Sequence, residues 1–344
     1  MPSPHPASPP VGARQPVGWY AHHSGAGHVT RAVLVAASMS TPVTILSSAP
    51  RPAHWPADRW VDLPDDAAPG GIDHTAGGAL HWAPTGHAGY RDRMATLAQW
   101  IGTHRPPLLV VDVSVEVTLL ARLLGVPTAV TLMAGDRTDR PHQLAYDAAS
   151  ALVAAWPPLA GEAPVTGLRE QWRERTTYAG AFSRFDHLTP GPPPGGRHVT
   201  VLWGSGRSPG TRARLLAAQQ ATPGWHWSSC EGLGADEVWA RLQSADVVVT
   251  HAGQNALAEV AASTRPAVVL PQPRPHDEQH RLARSLASLG IVGVERDWPA
   301  DAQWPGLLEA RRTSPPTPWS RWSDRQGAQR LADHLDALAA RCAA

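Results

Sequence analysis

VVVTHAGQNALAEV, residues 247–260, decides how the rest of the chain is read. Its valines, ending in Thr250, form a β-branched run suited to a buried strand, and a Thr-His-Ala-Gly turn stops it. Around Gly253 the pattern becomes helical, with Leu257, Val260 and Ala261 able to pack inward. A strand that delivers a turn and a helix start leaves free backbone N–H groups and the positive end of a helix dipole facing outward. That is an anion site, with phosphate its usual occupant. His251, Asn255 and Glu259 are spaced i, i+4, i+8 along one stripe, and the carboxylate lies about 12 Å beyond the histidine at the helical rise. Such a stripe suits a nucleoside diphosphate whose ribose hydroxyls need a bidentate acceptor. It suits equally a capped structural helix with Glu259 in solvent.

The same rhythm runs outward in both directions. VTVLWG, a GSGRSPG turn with a helix behind it, and GWHWSSC precede the stretch; PAVVLPQP and DEQHRLARSLASLG follow it. Earlier in the chain, VGWYAHH, TPVTILSS, PLLVVDVS, PTAVTLMAG and ALVAAWP read as strands separated by helical segments. Such alternation is the signature of parallel sheets covered by helices. LTPGPPPGGRH, residues 188–198, is the densest internal Pro/Gly cluster and reads as a linker. The expected organisation is a proline-rich disordered tail (1–16), a first α/β domain (17–187), the linker (188–198), a second α/β domain (199–322) and a C-terminal amphipathic helix (323–344). In that helix Leu331, Leu335 and Leu338 share one side. Two such lobes enclose a cleft, and ligands bind outside the carboxyl ends of the strands.

Composition narrows the classes of function. The 344 residues carry a formal net charge of +1, and every one of the 30 basic residues is arginine, without clustered basic runs, so no nucleic-acid partner is expected. The alanine-, arginine- and glycine-rich, lysine-free composition points to a GC-rich, bacterial genome. Cys230 and Cys342 stand far apart, in no metal-spaced array, and no D-x-D occurs. No apolar run reaches the roughly 20 residues that span a bilayer, and the start lacks the apolar core of a signal peptide. A cytoplasmic protein without a transmembrane segment is the expectation, with peripheral membrane contact left open. Trp55, Trp60, Trp82 and Trp100 are expected to serve as buried packing.

Read with PQPRPHDEQHRLAR downstream, the opening stretch resembles the donor-binding half of GT-B glycosyltransferases. These pair a T-H-x-G-x-N-x-x-x-E element with a Pro-rich strand end and an acidic-Gln pair. The plant and antibiotic-tailoring UDP-glycosyltransferases and the bacterial N-acetylglucosaminyltransferase of peptidoglycan lipid intermediates have this pattern. The resemblance implies two Rossmann-like parallel-sheet domains facing across a cleft. It implies that His251 and Asn255 bind the diphosphate, Glu259 the ribose, and Glu278 with Gln279 the donor sugar, Asp277 being the alternative acid by one register, with Gly253 and Gln254 also in the donor site. HHSGAGHVTRA, residues 22–32, resembles the first loop of the same proteins. There Gly25 and Gly27 permit close backbone approach and His28 is a candidate general base or orienting donor. Ser205 and Gly206 match a glycine/serine loop that faces the diphosphate. Ser183 and Arg184, in YAGAFSRFD, read as an interdomain strand, with a part for Arg184 near the cleft.

Two further acids, Asp112 and Asp136, end first-lobe strands and are candidate bases. The function that the resemblance implies is inverting, metal-independent transfer of a sugar from a nucleotide-sugar, UDP-sugar first, to a hydroxyl acceptor, with no cofactor beyond the substrate. A nucleotide-sugar hydrolase or 2-epimerase on the same fold is the first alternative, since Gly25, Gly27, His28, Val29 and Arg31 also match a hydrolase loop. A non-catalytic nucleotide-sugar-binding partner protein is the second.

Overall fold

The computed structural model describes residues 15–23, 25–159, 161–204, 209–295, 297–315 and 317–343. The expected strands form where β-branched runs bury both faces, as parallel strands between two helical layers must. The first lobe holds β1 (Val17–Ala21), β2 (Val43–Ser47), β3 (Trp60–Asp62), β4 (Leu109–Asp112), β5 (Thr128–Thr131), β6 (Gly135–Asp136), β7 (Ala151–Ala154), β8 (Val165–Thr166) and β9 (Thr176–Tyr178). The sheet order is β3-β2-β1-β4-β5-β7-β9, all parallel, with β6 and β8 paired separately. The second lobe holds β10 (His198–Leu202), β11 (His226–Ser229), β12 (Val247–Thr250) and β13 (Ala267–Val269), ordered β11-β10-β12-β13 and again parallel.

In each sheet the chain first builds away from one central strand and then returns to its other side. The reversal falls between β1 and β4 in the first lobe, and between β10 and β12 in the second. Connections diverge at such a point and leave a crevice at the carboxyl ends, which is where open α/β sheets bind ligands. The loop containing His28 follows β1 and Asp112 ends β4, so one crevice receives both. His251 follows β12 in the other.

Several readings from the sequence change, beginning with β3 and β8, which stand where no strand was expected. YAGAFSRFD contributes only Tyr178 to a strand, β9, and the following residues run as turns towards the linker. The helix Trp304–Thr313 stands where no helix was expected. The amphipathic helix Gly327–Ala343 is part of the first lobe's core: Leu331, Leu335 and Leu338 join the buried cluster of Val17, Trp19, Val29 and Val33. Asp336 of that helix accepts hydrogen bonds from Ser40 N (2.7 Å) and Thr41 N (2.9 Å). Trp55, Trp60 and Trp100 are buried, as expected, while Trp82 lies half-buried against His74 and His87. Among the described residues no helix is long and apolar enough to cross a membrane.

The Pro/Gly linker is pinned to the second lobe. Arg265, only 1% exposed, donates to the carbonyls of Gly191 (2.9 Å), Pro192 (3.2 Å), Leu242 (3.2 Å) and Gln243 (2.8 Å). Asp246 accepts from Gly195 N (2.7 Å) and His198 N (2.8 Å). Buried charge is tolerated when its donors are satisfied in this way.

Because Leu335 is wholly buried in the first lobe's core, Leu335→Ala should cost about 3 kcal/mol of stability in urea unfolding, the usual price of an aliphatic cavity. A loss under about 0.5 kcal/mol would show that this helix does not pack as described.

Candidate functional site

His28 sits in the first turn of the helix Ala26–Ser38, which begins after Gly25 at φ 87°, a backbone setting that favours glycine. Its Nδ1 lies 3.2 Å from Asp112 Oδ1, and Arg31 Nε, one turn along the same helix, lies 3.6 Å from Asp112 Oδ2. Asp112 is fully buried. Burial opposes its charge, but Arg31 and His28 outweigh that effect and hold the carboxyl below its ordinary value. An ionised carboxylate beside Nδ1 keeps the proton on Nδ1 and leaves Nε2 with a lone pair, the arrangement of an oriented general base. The contact is not aligned as a full hydrogen bond, which is common before a substrate tightens such a site. His22 stacks on His23 and presents an edge to His28; burial, with the charges of His28 and His23, pushes it down to about 4.

Across the cleft, Gly253 caps the helix Gln254–Ser263. His251 Nδ1 accepts from Gly253 N at 2.9 Å, so the ring carries its proton on Nε2. Burial, helped by Arg274, pushes His251 down to about 4, which keeps it a neutral donor. Gly253 is required by space: a Cβ there would stand 2.4 Å from His251 Cε1 and 2.7 Å from Nδ1. Gln254 is buried, and among the described residues neither polar atom of its side chain has a hydrogen-bond partner. The helix terminus thus offers backbone N–H groups, a neutral imidazole N–H and an unsatisfied amide to an anion.

The two halves meet. Asn255 Nδ2 donates to the carbonyl of Gly27 at 3.2 Å, one residue before His28. Glu259, on the same stripe as Asn255, pairs through Oε1 with Arg184 Nε at 2.9 Å, and burial pushes its carboxyl up against the pull of that arginine. Arg184 therefore does reach the cleft. Gln279 is buried and accepts from Gln272 N at 3.0 Å, bracing the loop before the helix Glu278–Ser288. Glu278 opens that helix, whereas Asp277 is occupied by His280 (3.1 Å) and Arg284 (3.0 Å). Asp136 accepts from Thr138 N, Thr138 Oγ1 and Thr166 Oγ1, which hold its carboxyl below its ordinary value. Ser205 and Gly206 lie outside the described residues.

Beside His251 a cavity of about 390 Å³ opens at the carboxyl ends of the second sheet, lined among others by Trp203, Arg214, Gln272, Arg274, Asp297 and Trp298. Trp203 meets His251 edge to face at 5.5 Å, so the cavity adjoins the anion site. Among the described residues the indole N–H groups of Trp203 and Trp298 have no acceptor. Sequence reading missed this lining, whose residues come from separate strand ends. It also left Arg31 out of the site, although the i, i+3 spacing from His28 carried that signal.

Residues 235–296 match the model of the glycosyltransferase family 28 C-terminal domain. No curated protein matches the chain. Among solved structures, MurG from Acinetobacter baumannii is 14% identical with a TM-score of 0.63, over 94% of this chain and 99% of that one. The spinosyn rhamnosyltransferase SpnG complexed with thymidine diphosphate is 15% identical, with a TM-score of 0.55 over 94% and 96%. UDP-GlcNAc 2-epimerase from Methanocaldococcus jannaschii is 11% identical, with a TM-score of 0.58 over 93% and 99%. The chain thus has the GT-B fold of these structures, and residues 235–296 of its second lobe match the glycosyltransferase family 28 C-terminal domain.

Proposed function

We propose that the chain transfers a sugar from a nucleoside-diphosphate sugar, with UDP as the nucleotide, to a hydroxyl acceptor, with inversion and without a metal at the diphosphate. One observation carries the reading: Asn255 at the start of the second lobe's helix touches Gly27, the residue before His28. A base and an anion-stabilising helix terminus on opposite walls of one cleft are the two groups that direct displacement requires. His28 Nε2 takes the acceptor's hydroxyl proton while Asp112 holds the ring and stabilises its positive charge. The oxygen bonds to the anomeric carbon, and the bond from that carbon to the diphosphate breaks. The departing negative charge falls on the N-terminus of the helix Gln254–Ser263, His251 Nε2–H and the Gln254 and Asn255 amides.

The cavity behind Trp203 receives the nucleoside, Glu259 with Arg184 the ribose, and Glu278 with Gln279 the donor sugar. Asp277 and Asp136 take no part in this scheme. The fold shared with a 2-epimerase keeps one rival in view: release of nucleotide without any acceptor would favour hydrolysis or epimerisation over transfer.

Incubation with a panel of UDP- and TDP-sugars and small hydroxyl acceptors, read by mass spectrometry, should yield a glycoside and free nucleoside diphosphate. His28→Ala should lower kcat by about 10²- to 10⁴-fold and leave donor affinity within a fewfold. Asp112→Asn should lower it in the same way by spoiling the tautomer; wild-type rates in both variants would remove His28 as the base. UDP at about 100 times its Kd should stabilise the wild type by roughly 2.7 kcal/mol. Gly253→Ala, which drives the His251 ring aside, should abolish most of that gain; an undiminished gain would place the diphosphate elsewhere.

Acid should destabilise the fold through the same histidines. Burial pushes His22 and His251 down to about 4 when folded, against about 6.5 for a histidine in the unfolded chain. A lowered histidine pKa means the unfolded chain binds more protons between those values, so stability falls as pH drops from about 6.5 towards about 4. At pH 5.5 the loss should be about 1 kcal/mol per histidine. Chemical unfolding at pH 7.5 and 5.5 checks it, and His251→Asn should reduce the difference by about 1 kcal/mol, its own share; a flat wild-type profile would contradict the burial of both rings.

A further inference from the structure

A second cluster joins the lobes away from His28. His81 lies in the loop between β3 and the helix Ala88–His104. Asp139 caps the helix Arg140–Ala148, and His142 is in that helix's first turn. His276 comes from the second lobe, two residues before Glu278. Asp139 Oδ1 is 2.5 Å from His142 Nδ1, and its Oδ2 is 3.1 Å from His81 Nε2 and 3.7 Å from His276 Nδ1. One ligand atom from each of the four residues lies within 4.8 Å of all the others.

We propose that His81, Asp139, His142 and His276 form a divalent transition-metal site that clamps the second lobe's loop 271–279 to the first lobe. Three imidazoles and a carboxylate are a donor set for zinc and its neighbours rather than for magnesium or calcium. Tetrahedral Zn²⁺ with bonds of 2.0–2.2 Å needs ligand atoms about 3.4 Å apart. The present spacings bracket that value, so small side-chain rotations complete the tetrahedron. Four protein ligands close the shell, which makes the site structural and leaves the His28–Asp112 base its own chemistry. His81, Asp139 and His276 have side chains 34%, 36% and 33% exposed, which gives an ion access.

The backbone supports the same assignment. His276 and Asp277 both have positive φ (60° and 55°), costly settings for residues other than glycine that persist where surrounding contacts enforce them. Gly135 in β6 meets this loop so closely that a Cβ would lie 2.5 Å from the His276 carbonyl oxygen. The first lobe thus accepts His276 at a glycine and surrounds its ring with three ligands. Arg137 Nη1, 3.0 Å from His142 Nε2, is the opposing charge. Metal on Nδ1 places the ring proton on Nε2, so Arg137 must release that contact while its Nη2 keeps the Ala134 carbonyl at 2.8 Å.

By holding His276, the ion also fixes the start of the helix that carries Glu278 and Gln279, two and three residues on; that effect on the donor sugar rests on the transferase reading, and metal binding itself does not. The test uses the full chain freed of any histidine tag, titrated with Zn²⁺ and Co²⁺, with Mg²⁺ as counter-probe. The expected results are one ion per chain, a tetrahedral Co²⁺ absorption spectrum, a raised Tm and a smaller radius of gyration in X-ray scattering. Mg²⁺ should produce none of these. His276→Ala and His142→Ala should weaken Zn²⁺ at least about tenfold, and His276→Ala should also abolish the compaction; Asp139→Asn, the conservative change, should weaken Zn²⁺ too. His28→Ala should bind as the wild type does. Absence of stoichiometric Zn²⁺ or Co²⁺ binding would overturn the site. Binding that survives His276→Ala with compaction intact would overturn the clamp.

Discussion

The last helix belongs to the first lobe although the chain reaches it after completing the second, and this return holds the molecule together. Leu331, Leu335 and Leu338 bury against Val29 and Val33, whose helix begins with the Gly25–His28 turn. The helix that carries the candidate base is thus wedged between its own sheet and a segment arriving from the donor side. Apolar burial is not directional, so polar contacts set the seating: Asp336 caps Ser40 and Thr41, and Arg330 reaches the Ala179 carbonyl. Contacts across the cleft, among them Asn255 to Gly27, Glu259 to Arg184, His276 to Asp139 and Arg284 to Glu162, join lobes that this return already ties together.

The two lobes solve one problem in the same way. Each parallel sheet has a point where its connections part, and each places a histidine just beyond it. The environments then give the histidines opposite tasks. His28 faces a buried carboxylate through Nδ1 and keeps a lone pair on Nε2. His251 accepts a backbone N–H at Nδ1 and keeps a proton on Nε2. The same side chain is thus suited to act as a base in one lobe and as a hydrogen-bond donor in the other, distinguished only by what lies behind the ring.

Much of this was legible in the residues. β-branched runs between glycine turns located the strands, and VVVTHAGQNALAEV placed the helix N-terminus with its histidine and amides in order. What remained hidden were meetings that need sheet order. Asp112 and His28 are far apart in sequence, and only the adjacency of β1 and β4 brings them together. Glu259 reads as a free carboxylate until Arg184 arrives from the far side of the linker. Only Asp139 and His142 share a local spacing, i, i+3 at one helix start; His81 and His276 join them from two other segments, one of them in the other lobe, so no single stretch shows the cluster. Asp136 shows the converse: a strand-end acid facing outward by position, yet consumed by its own turn through Thr138 and Thr166.

The chain passes between the lobes twice, at the linker and again near Ser323, and the two passages lie side by side. Ala181 N donates to the Trp322 carbonyl at 3.1 Å, Ser323 Oγ to the Ala181 carbonyl at 2.7 Å, and Arg325 Nη1 to the Leu188 carbonyl at 2.8 Å. Mechanically this is a door hung on two knuckles of one hinge. Two widely separated tethers would let the lobes slide or splay; two adjacent ones leave a single axis of swing. Any swing that parted His251 and Asn255 from His28 would therefore turn about these two adjacent crossings.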